Sequence, residues 1–464
     1  MKKIRTRYAP SPTGQLHIGG ARTALFCYLF AKHNNGDFIL RIEDTDIKRN
    51  IEGGEDSQID NLEWLGIFAD ESPRKPIEKY GKYRQSEKLD RYNNIIDELL
   101  EKGYAYKSYD NSDEISKQKL EQESNGIFSF RYDKNWLSLS KEELERREKE
   151  GLYSIRLALP KNKDYSWKDM VRGNITVNTE DIGDFIIKKQ DGYPTYNFAV
   201  VVDDHDMEIS HVFRGEEHTT NTPKQLIIYD LMKWEAPQFA HLTIITNIEG
   251  KKLSKRDLKT KQFIEQYKEE GFLPHSIFNF LALLGWSAKD TSEINSKEEL
   301  IKKFEWERLS KSPSKFDIKK MEWFSKQYYK NIDNKKIIDM LNNKIDITCF
   351  ENEWLDLFVD TYKQNAVTLN DIINSLEIYN NISVRKPNIT NVISVFSKEL
   401  SKVPFTVKNI QECINKTKDI TGAKGKELFM PIRIETTYQE HGPELAKAIF
   451  LFGEKLIKER LNNG

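Results

Sequence analysis

The stretch Pro10–Gly20 (PSPTGQLHIGG) ends in a histidine and a pair of glycines, just before a segment with helical spacing. A helix N-terminus presents unpaired backbone N–H groups and a positive dipole end, and both favour phosphate. His17 can donate a hydrogen bond to a phosphoryl oxygen, and glycine at 19 and 20 lets a ligand approach the backbone closely. The stretch predicts a phosphate-binding turn, although a capped turn with an exposed histidine is the commoner meaning of such residues in isolation.

A second stretch with the residue types for phosphate chemistry is Gly250–Arg256 (GKKLSKR), which follows a strand candidate at 242–245. Lys252 and Lys255 offer ammonium groups beside the hydroxyl of Ser254. Together they could hold nucleotide phosphates and stabilise charge on a departing pyrophosphate. A lysine run alone is more commonly a solvated loop. Together the two stretches are stronger evidence for a phosphate site than either alone, because they lie in order on the two halves of one predicted sheet that an insertion divides.

The elements that must position these residues begin with a strand over 4–8, a helix over 20–33 and a strand over 38–42. The second strand ends in the acidic run Glu43–Asp46. This β-loop-α-β order is typical of the opening of a doubly wound sheet, in which ligands bind at the carboxyl ends of the strands.

The remainder of the chain predicts an insertion, a second half of the sheet and a helical region. Residues 105–183 are highly charged and periodic only in places, which indicates an inserted domain. We expect the sheet to resume at 184–187 and to continue with a strand over 197–202, whose apolar run is typical of burial on both faces. Beyond Thr260 the pattern is almost wholly helical, with a domain junction near Asp333.

Composition sets limits on the class of protein. The chain has 464 residues, enough for about three domains, and its 72 basic and 73 acidic residues create no global field, so any basic surface must be local. Cys27, Cys349 and Cys413 are too far apart for a C-x-x-C zinc site and odd in number for a disulfide framework. Neither a signal peptide nor a membrane-spanning run is present, so we expect a cytoplasmic protein without a membrane partner.

Several stretches resemble, in order, the signatures of bacterial-type glutamyl-tRNA synthetases of class I. The matching stretches are Arg7–Gly14, Leu16–Leu25, Arg41–Asp46, Asp191–Ala199, Phe213–His218, Lys252–Arg256 and Lys424–Arg433. The resemblance therefore spans nearly the whole chain. Gly20 stands where a second histidine might be expected, and we interpret it as a variant that the family uses.

The resemblance implies an α/β fold: a Rossmann-type doubly wound parallel sheet catalytic domain with an inserted acceptor-binding domain, followed by an all-α C-terminal anticodon-binding domain. The predicted domains are the first half of the catalytic domain (1–104), the acceptor-binding insertion (105–183), the second half of the catalytic domain (184–250), a helical domain that carries the KMSKS-type loop and contacts the tRNA stem (251–332), and the anticodon-binding domain (333–464).

The resemblance also implies a two-step reaction. L-Glutamate is activated with ATP, accompanied by Mg²⁺, to glutamyl-adenylate, and the glutamyl group passes to the 3′ end of tRNA(Glu). The implied catalytic residues are His17, Gly19, Lys252, Ser254 and Lys255. The implied ATP-binding residues are His17, Gly19, Gly20 and Lys255, and the implied glutamate-binding residues are Arg7, Ala9, Ser11, Glu43, Tyr196 and Arg214.

Partners and alternatives follow from the same resemblance. A basic loop at 251–261 and the lysine-rich helical C-terminal portion suit tRNA phosphates, and the family favours a monomer. Some members ligate zinc through cysteines where this chain has Ser108 and Asp110, so no zinc or other bound metal is expected. Val200 stands where some members have an amide.

The alternatives are a non-discriminating enzyme that also charges tRNA(Gln), a glutaminyl-tRNA synthetase, a short paralogue without an anticodon domain, and a non-catalytic tRNA-binding protein. The helical C-terminal pattern argues against the second and third of these.

Overall fold

The protein forms two compact units. The computed structural model describes residues 3–127, 130–253, 261–380 and 382–462. The first unit comprises Met1–Gln266 and Ile277–Ile318, and the second comprises Tyr267–Ser276 and Lys319–Gly464. Within the described ranges, no helix has both the length and the apolar character needed to cross a membrane.

The first unit is α/β and the second is helical. The strands are β1 (Arg5–Tyr8), β2 (Asp37–Leu40), β3 (Ala105–Ser108), β4 (Ser154–Leu157), β5 (Asp164–Asp169), β6 (Gly173–Asn178), β7 (Phe185–Lys188), β8 (His211–Gly215), β9 (Gln238–Leu242), β10 (Ile245–Thr246) and β11 (Ser314–Lys315). The helices are α1 (Ile18–His33), α2 (Gly54–Trp64), α3 (Leu89–Glu101), α4 (Ser112–Ser124), α5 (Lys141–Lys149), α6 (Tyr196–Asp206), α7 (Thr222–Leu231), α8 (Ile264–Glu270), α9 (Pro274–Leu283), α10 (Lys297–Lys303), α11 (Ile318–Asn331), α12 (Asn334–Asn342), α13 (Asn352–Tyr362), α14 (Leu369–Glu377), α15 (Asn391–Leu400), α16 (Val407–Thr421), α17 (Lys426–Thr437), α18 (Leu445–Phe452) and α19 (Glu454–Asn462).

A parallel sheet with strand order β2-β1-β8-β9 lies at the centre of the first unit. Successive side chains on a strand point to opposite faces. On one face, Phe38 and Phe213 contact Tyr28 and Phe30 of α1. On the other face, neighbouring strand residues such as Val212 join a separate buried cluster. Both faces are therefore covered, and the predicted Rossmann-type fold is confirmed.

The predicted strand over 197–202 is wrong, because these residues lie in the first two turns of α6. The run from Phe198 to Val202 is almost wholly buried against α3, α7 and the strands of the insertion. A helix that is surrounded in this way is apolar on all sides, so its sequence has no amphipathic period that separates it from a buried strand. Tertiary packing here overrides the preference of the three consecutive valines for β-structure.

The predicted return of the parallel sheet at 184–187 is also wrong. These residues belong to β7, which pairs antiparallel with β4, and β4 pairs antiparallel with β3. The parallel sheet resumes only at β8. The insertion also contains a hairpin formed by β5 and β6, whose turn packs against the parallel sheet through a hydrogen bond from Met170 N to Phe239 O.

The second unit is helical, as predicted beyond Thr260, and contains two apolar clusters. One centres on α12, α13 and α14, and the other on α15, α16, α17 and α18. Side-chain caps define the helix starts: Asp333 caps α12, and Thr368 forms a capping box with Asp371 at α14. Such caps satisfy backbone N–H groups that have no partner inside the helix.

Gly20 lies in the first turn of α1, and its lack of a side chain has a packing cause. A Cβ atom at this position would overlap the hydroxyl oxygen of Tyr8 and would lie 3.5 Å from the Cζ atom of the same ring. Tyr8 ends β1, so the close approach sets how α1 begins against the sheet. A larger residue at position 20 therefore requires the Tyr8 hydroxyl to move.

A bidentate ion pair inside the sheet fixes β1 to the segment that follows α2. Arg5 donates from its two terminal nitrogens to the carboxylate of Glu71 at 2.6 and 3.0 Å, and Tyr83 donates to the same carboxylate at 2.6 Å. Both charged side chains are almost completely buried. Removal of Arg5 leaves the Glu71 charge buried without this counter-ion, and removal of Glu71 leaves Arg5 with only its part-buried contact to Asp37 at 3.1 Å.

We expect Glu71→Gln to lower the opening free energy of β1 and β2 by about 2–3 kcal/mol, because Arg5 loses its buried bidentate counter-charge and keeps only Asp37. Hydrogen–deuterium exchange of peptides from these strands measures the change. The matched control is Glu98→Gln, which breaks the exposed pair with Lys102 and is expected to cost about 0.5 kcal/mol. Equal effects of the two variants would contradict the prediction.

We expect Gly20→Ala to destabilise α1 by about 1–3 kcal/mol through overpacking against Tyr8. In a Tyr8→Phe background the same substitution should cost less than half as much, because the clashing oxygen is gone. Exchange protection of α1 amides in the four members of this double-mutant cycle tests the coupling. Additive costs would show that the Tyr8 hydroxyl is not the reason for glycine.

Candidate active site

A cavity of about 870 Å³ opens at the carboxyl ends of β1, β2 and β8. Its walls come from the loop after β1, the first turn of α1, the loop after β2, the segment that leads into α6, and the end of β8. In a parallel sheet these strand ends meet at one edge, which is where such folds bind ligands. The cavity is therefore the first candidate for the site.

The structure brings most of the predicted site residues to this cavity. Those that line it are Arg7, Ala9, Ser11, His17, Gly19, Gly20, Glu43, Tyr196 and Arg214. Lys252 lines a smaller cavity of about 210 Å³ that shares His17, Gly19 and Gly20 with the first. Ser254 and Lys255 lie outside the described residues. Val200 packs in the core beside α3 and α7 and is not among the residues that line the cavity.

Both nitrogens of the His17 ring contact protein groups. Nδ1 accepts from the backbone N–H of Gly19 at 3.1 Å, which caps α1, and Nε2 lies 2.9 Å from Oε1 of Gln262. Nε2 therefore carries the proton, because an amide oxygen can only accept. The ring orients the start of α1, and its predicted bond to phosphate stays a prediction.

Arg7 is held from behind by Asp204 at the end of α6. Its Nε atom lies 3.1 and 3.2 Å from the two carboxylate oxygens, and Arg41 donates to Oδ1 of the same group at 2.8 Å. Among the described residues, the two terminal nitrogens of Arg7 have no hydrogen-bond partner. Burial alone would raise the pKa of Asp204, but the two arginines outweigh it and hold that pKa low. Arg7 therefore lines the cavity with a fixed fork of free N–H groups.

Glu43 is a buried carboxylate at the cavity wall. Its Oε1 atom accepts from the guanidinium of Arg41 at 3.3 Å. Burial raises the pKa of Glu43 to about 7, against the opposing effect of Arg41 and Arg7. Such a group gains most from a cation that arrives in the cavity, because that cation restores the charged form.

Arg214 is a buried cation without a carboxylate among its hydrogen-bond partners. It donates from Nε to His241 at 3.1 Å, from Nη1 to Gln225 at 2.9 Å, and from Nη2 to Thr222 at 2.6 Å. Burial accordingly lowers the pKa of Arg214. The guanidinium is therefore fixed in orientation while its charge remains uncompensated by its contacts.

Aromatic groups complete this wall. The Tyr196 ring packs on His218 at a centroid distance of 5.6 Å. Burial, and then the nearby Glu43, raise the pKa of the Tyr196 hydroxyl, which therefore keeps its proton and can donate a hydrogen bond. Burial and the charge of Arg214 lower the pKa of His218 to about 4, so that ring is neutral.

Reasoning from the sequence missed the residues that hold these groups in place. Asp204 and Arg41 lie behind Arg7, while Thr222, Gln225 and His241 lie behind Arg214. The signals available were two aspartates at the end of an apolar run and a histidine inside an apolar strand. Neither indicates a partner that is distant in sequence.

The arrangement has a definite chemical capacity. Two buried guanidinium groups and one buried carboxylate line a single cavity, which Tyr196 also lines. This set complements a small molecule with two carboxylates and one ammonium group. No group of three or more His, Cys, Asp or Glu side chains in the described part of the chain is arranged to hold a metal ion.

Two family models match the chain. Residues 3–323 match the catalytic domain of class I tRNA synthetases of the glutamate and glutamine type, and residues 321–464 match an anticodon-binding domain. Together the two models cover essentially the whole chain.

Curated relatives and solved structures agree with these models. The chain is 63% identical to the glutamate–tRNA ligase of Metamycoplasma arthritidis, with 99% of each chain covered. It is 61% identical to that of Mycoplasmopsis agalactiae, with 100% of this chain and 99% of the relative covered. A crystal structure of the glutamate tRNA ligase from Elizabethkingia meningosepticum, in complex with its amino acid, superposes with a TM-score of 0.88 at 34% identity, with 100% of this chain and 99% of that chain covered. The chain therefore belongs to the glutamate–tRNA ligase family of class I aminoacyl-tRNA synthetases.

Proposed function

We propose that this protein is a glutamate–tRNA ligase that activates L-glutamate with ATP and transfers it to the 3′ end of tRNA(Glu). The observation that carries the proposal is the set of Arg7, Arg214 and Glu43 around one cavity. Two cations and one anion are the complement of glutamate, which has two carboxylates and one ammonium group. Membership of the family supplies the reaction class.

Each part of the amino acid has an assigned partner. Arg7 and Arg214 bind the two carboxylates, Glu43 binds the ammonium group, and Tyr196 supplies a hydroxyl partner, while Ala9 and Ser11 shape the cavity mouth. A guanidinium prefers a carboxylate to an amide because only the carboxylate forms charge-assisted bonds. Glutamate is therefore preferred to glutamine, whose amide leaves the charge of Arg214 without compensation.

ATP binds beside the amino acid, at the first turn of α1. Gly19 and Gly20 line the cavity at this turn, and His17 fixes the start of the helix. Lys252, at the smaller cavity, supports Ser254 and Lys255 in stabilising the charge that moves to pyrophosphate. Mg²⁺ enters with ATP as part of the substrate. In-line displacement at the α-phosphate then needs positioning and charge stabilisation from the protein.

The remaining assignments concern the setting of the reaction. The insertion at 105–183 binds the acceptor end of tRNA and residues 333–464 bind the anticodon, with the catalytic halves at 1–104 and 184–250 and the stem-contact domain at 251–332. The protein acts as a cytoplasmic monomer. The three cysteines, which form no disulfide, support a reducing compartment.

The direct test is glutamate-dependent exchange of pyrophosphate into ATP, with and without tRNA, followed by charging of purified tRNA(Glu) and tRNA(Gln) in turn. We expect exchange with glutamate and charging of tRNA(Glu). Exchange with glutamine in place of glutamate would identify the glutaminyl enzyme, and no exchange under either condition would overturn the proposal. Charging of tRNA(Gln) with glutamate would identify the non-discriminating form.

The pKa of Glu43, about 7, predicts a pH dependence of glutamate binding. Glutamate's ammonium group needs the carboxylate form, and the empty site loses that form as pH falls below 7. The KM for glutamate should therefore fall about tenfold from pH 6 to pH 8, while the KM for ATP changes little. Glu43→Gln should raise the KM at pH 8 and abolish its pH dependence. A flat profile in the unmodified enzyme would contradict the assignment.

A further inference from the structure

A chain of three buried groups extends from Arg214 away from the cavity. Nε of Arg214 lies 3.1 Å from Nε2 of His241, and Nδ1 of His241 lies 2.5 Å from Oδ2 of Asp169. The side chains of His241 and Asp169 are fully buried. Neither of these two residues lines the cavity, so any influence on the ligand must pass through Arg214.

The contacts determine the tautomer of His241. A guanidinium nitrogen can only donate, so Nε2 must accept, and the ring proton must lie on Nδ1, where it donates to Asp169. Burial, with the Arg214 charge, lowers the pKa of His241 against the opposing effect of Asp169. The ring is therefore neutral, and its lone pair faces Arg214.

Asp169 is itself held rigidly at the end of β5. Its Oδ1 atom accepts backbone N–H groups from Val171, Arg172 and His241 at 2.9–3.2 Å. Burial would raise the pKa of Asp169, but the bonds from His241 and the backbone prevail and lower it. This carboxylate thus stays charged and fixed, as the orientation of His241 requires.

The β5–β6 hairpin that carries Asp169 is also attached close to Arg214 by a second charged contact. Arg172, in the hairpin turn, forms an ion pair with Glu216, two residues after Arg214. The Glu216 carboxylate in turn accepts from the backbone of Ile244 at 3.0 Å. The hairpin turn is therefore anchored both to β9, through His241, and to the residue two positions after Arg214.

We propose that Asp169 and His241 are positioning residues for Arg214, so that a hairpin of the insertion sets the geometry of the glutamate site. The inference rests on the proposed function, in which Arg214 binds a substrate carboxylate. Asp169 selects the His241 tautomer, and that tautomer supplies the acceptor that fixes the guanidinium plane. Thr222 and Gln225 hold the other two nitrogens, and the Thr222 hydroxyl oxygen also lies 3.0 Å from Nε2 of His241, so it belongs to the same buried network.

Asp169→Asn tests the tautomer directly, because an asparagine NH₂ group donates to Nδ1 and forces the proton onto Nε2, against the N–H of Arg214. We expect the KM for glutamate in pyrophosphate exchange to rise on the order of ten- to a hundredfold, with the KM for ATP within about twofold of its original value. The matched control is Asp164→Asn at the exposed start of β5, which should change neither constant.

A conservative variant separates positioning from simple destabilisation. With Asp169 retained, the glutamine of His241→Gln can donate its NH₂ group to the Asp169 carboxylate and present its oxygen to Nε of Arg214. We expect this variant to keep a KM for glutamate within about threefold of the unmodified enzyme, whereas His241→Phe, which has no acceptor, should raise the KM as Asp169→Asn does. If Asp169→Asn does not fold, His241→Phe and His241→Gln still make the comparison, since only glutamine retains an acceptor.

The outcomes are distinct. An unchanged KM for glutamate in Asp169→Asn, an equal rise in the KM for ATP, or equal rises in the KM for glutamate in His241→Gln and His241→Phe would overturn the positioning role while the unmodified enzyme remains active. Absence of glutamate-dependent exchange in the unmodified enzyme would instead overturn the proposed function and, with it, this role.

Discussion

The carboxylate of Asp204, placed between Arg7 and Arg41, is the interaction on which the site depends. Arg41, the residue after β2, also contacts Glu43 and Asp203. The Asp204 carboxylate therefore joins the end of α6 to β1, through Arg7, and to the end of β2, through Arg41. Loss of one partner from such a cluster costs several kcal/mol, because the remaining charges stay buried. The cluster therefore fixes the relative positions of the elements and the direction of the Arg7 side chain together.

Charge balance in the cluster explains why the cavity suits an anion. Arg7, Arg41 and Lys88 contact Glu43, Asp203 and Asp204, so three cations meet three carboxylates. Arg214 is additional, and its direct partners are all neutral. A carboxylate ligand then compensates a charge that the fold leaves without a counter-ion. Arg7 and Arg214 thus differ, because the charge of Arg7 is neutralised by Asp204 whereas the charge of Arg214 is neutralised only by a bound anion.

Local patterns predicted the parts of the fold whose partners are near in sequence. β1, α1 and β2 follow one another within forty residues, and their order and approximate bounds were predictable from alternation, helical spacing and turn residues. α6 was not, because a fully buried helix and a fully buried strand share one apolar pattern. The prediction that β7 belongs to the parallel sheet was wrong for a related reason, because the sequence of a short apolar strand does not indicate which sheet the strand joins.

The residues of the candidate site also divide into those that could be predicted from the sequence and those that could not. Residues in the motifs were predictable from the resemblance, and nine of them line one cavity. The residues that orient them were not, because Asp204 meets Arg7 across 197 positions and Asp169 meets His241 across 72. Pairings of this range depend on the completed topology. The geometry of the site is therefore a property of the packed fold more than of any motif.

The separation of 197 positions between Arg7 and Asp204 also has a consequence for the synthesis of the chain. At roughly 5–20 residues per second, Asp204 is made about 10–40 s after Arg7. During that interval Arg7 and Arg41 have been made but lack a shared counter-charge, and β1 lacks its neighbour β8. Arg7 and Arg41 consequently cannot share the Asp204 carboxylate until the insertion has been translated, and the cavity that Arg7 lines is among the later features of the first unit to form.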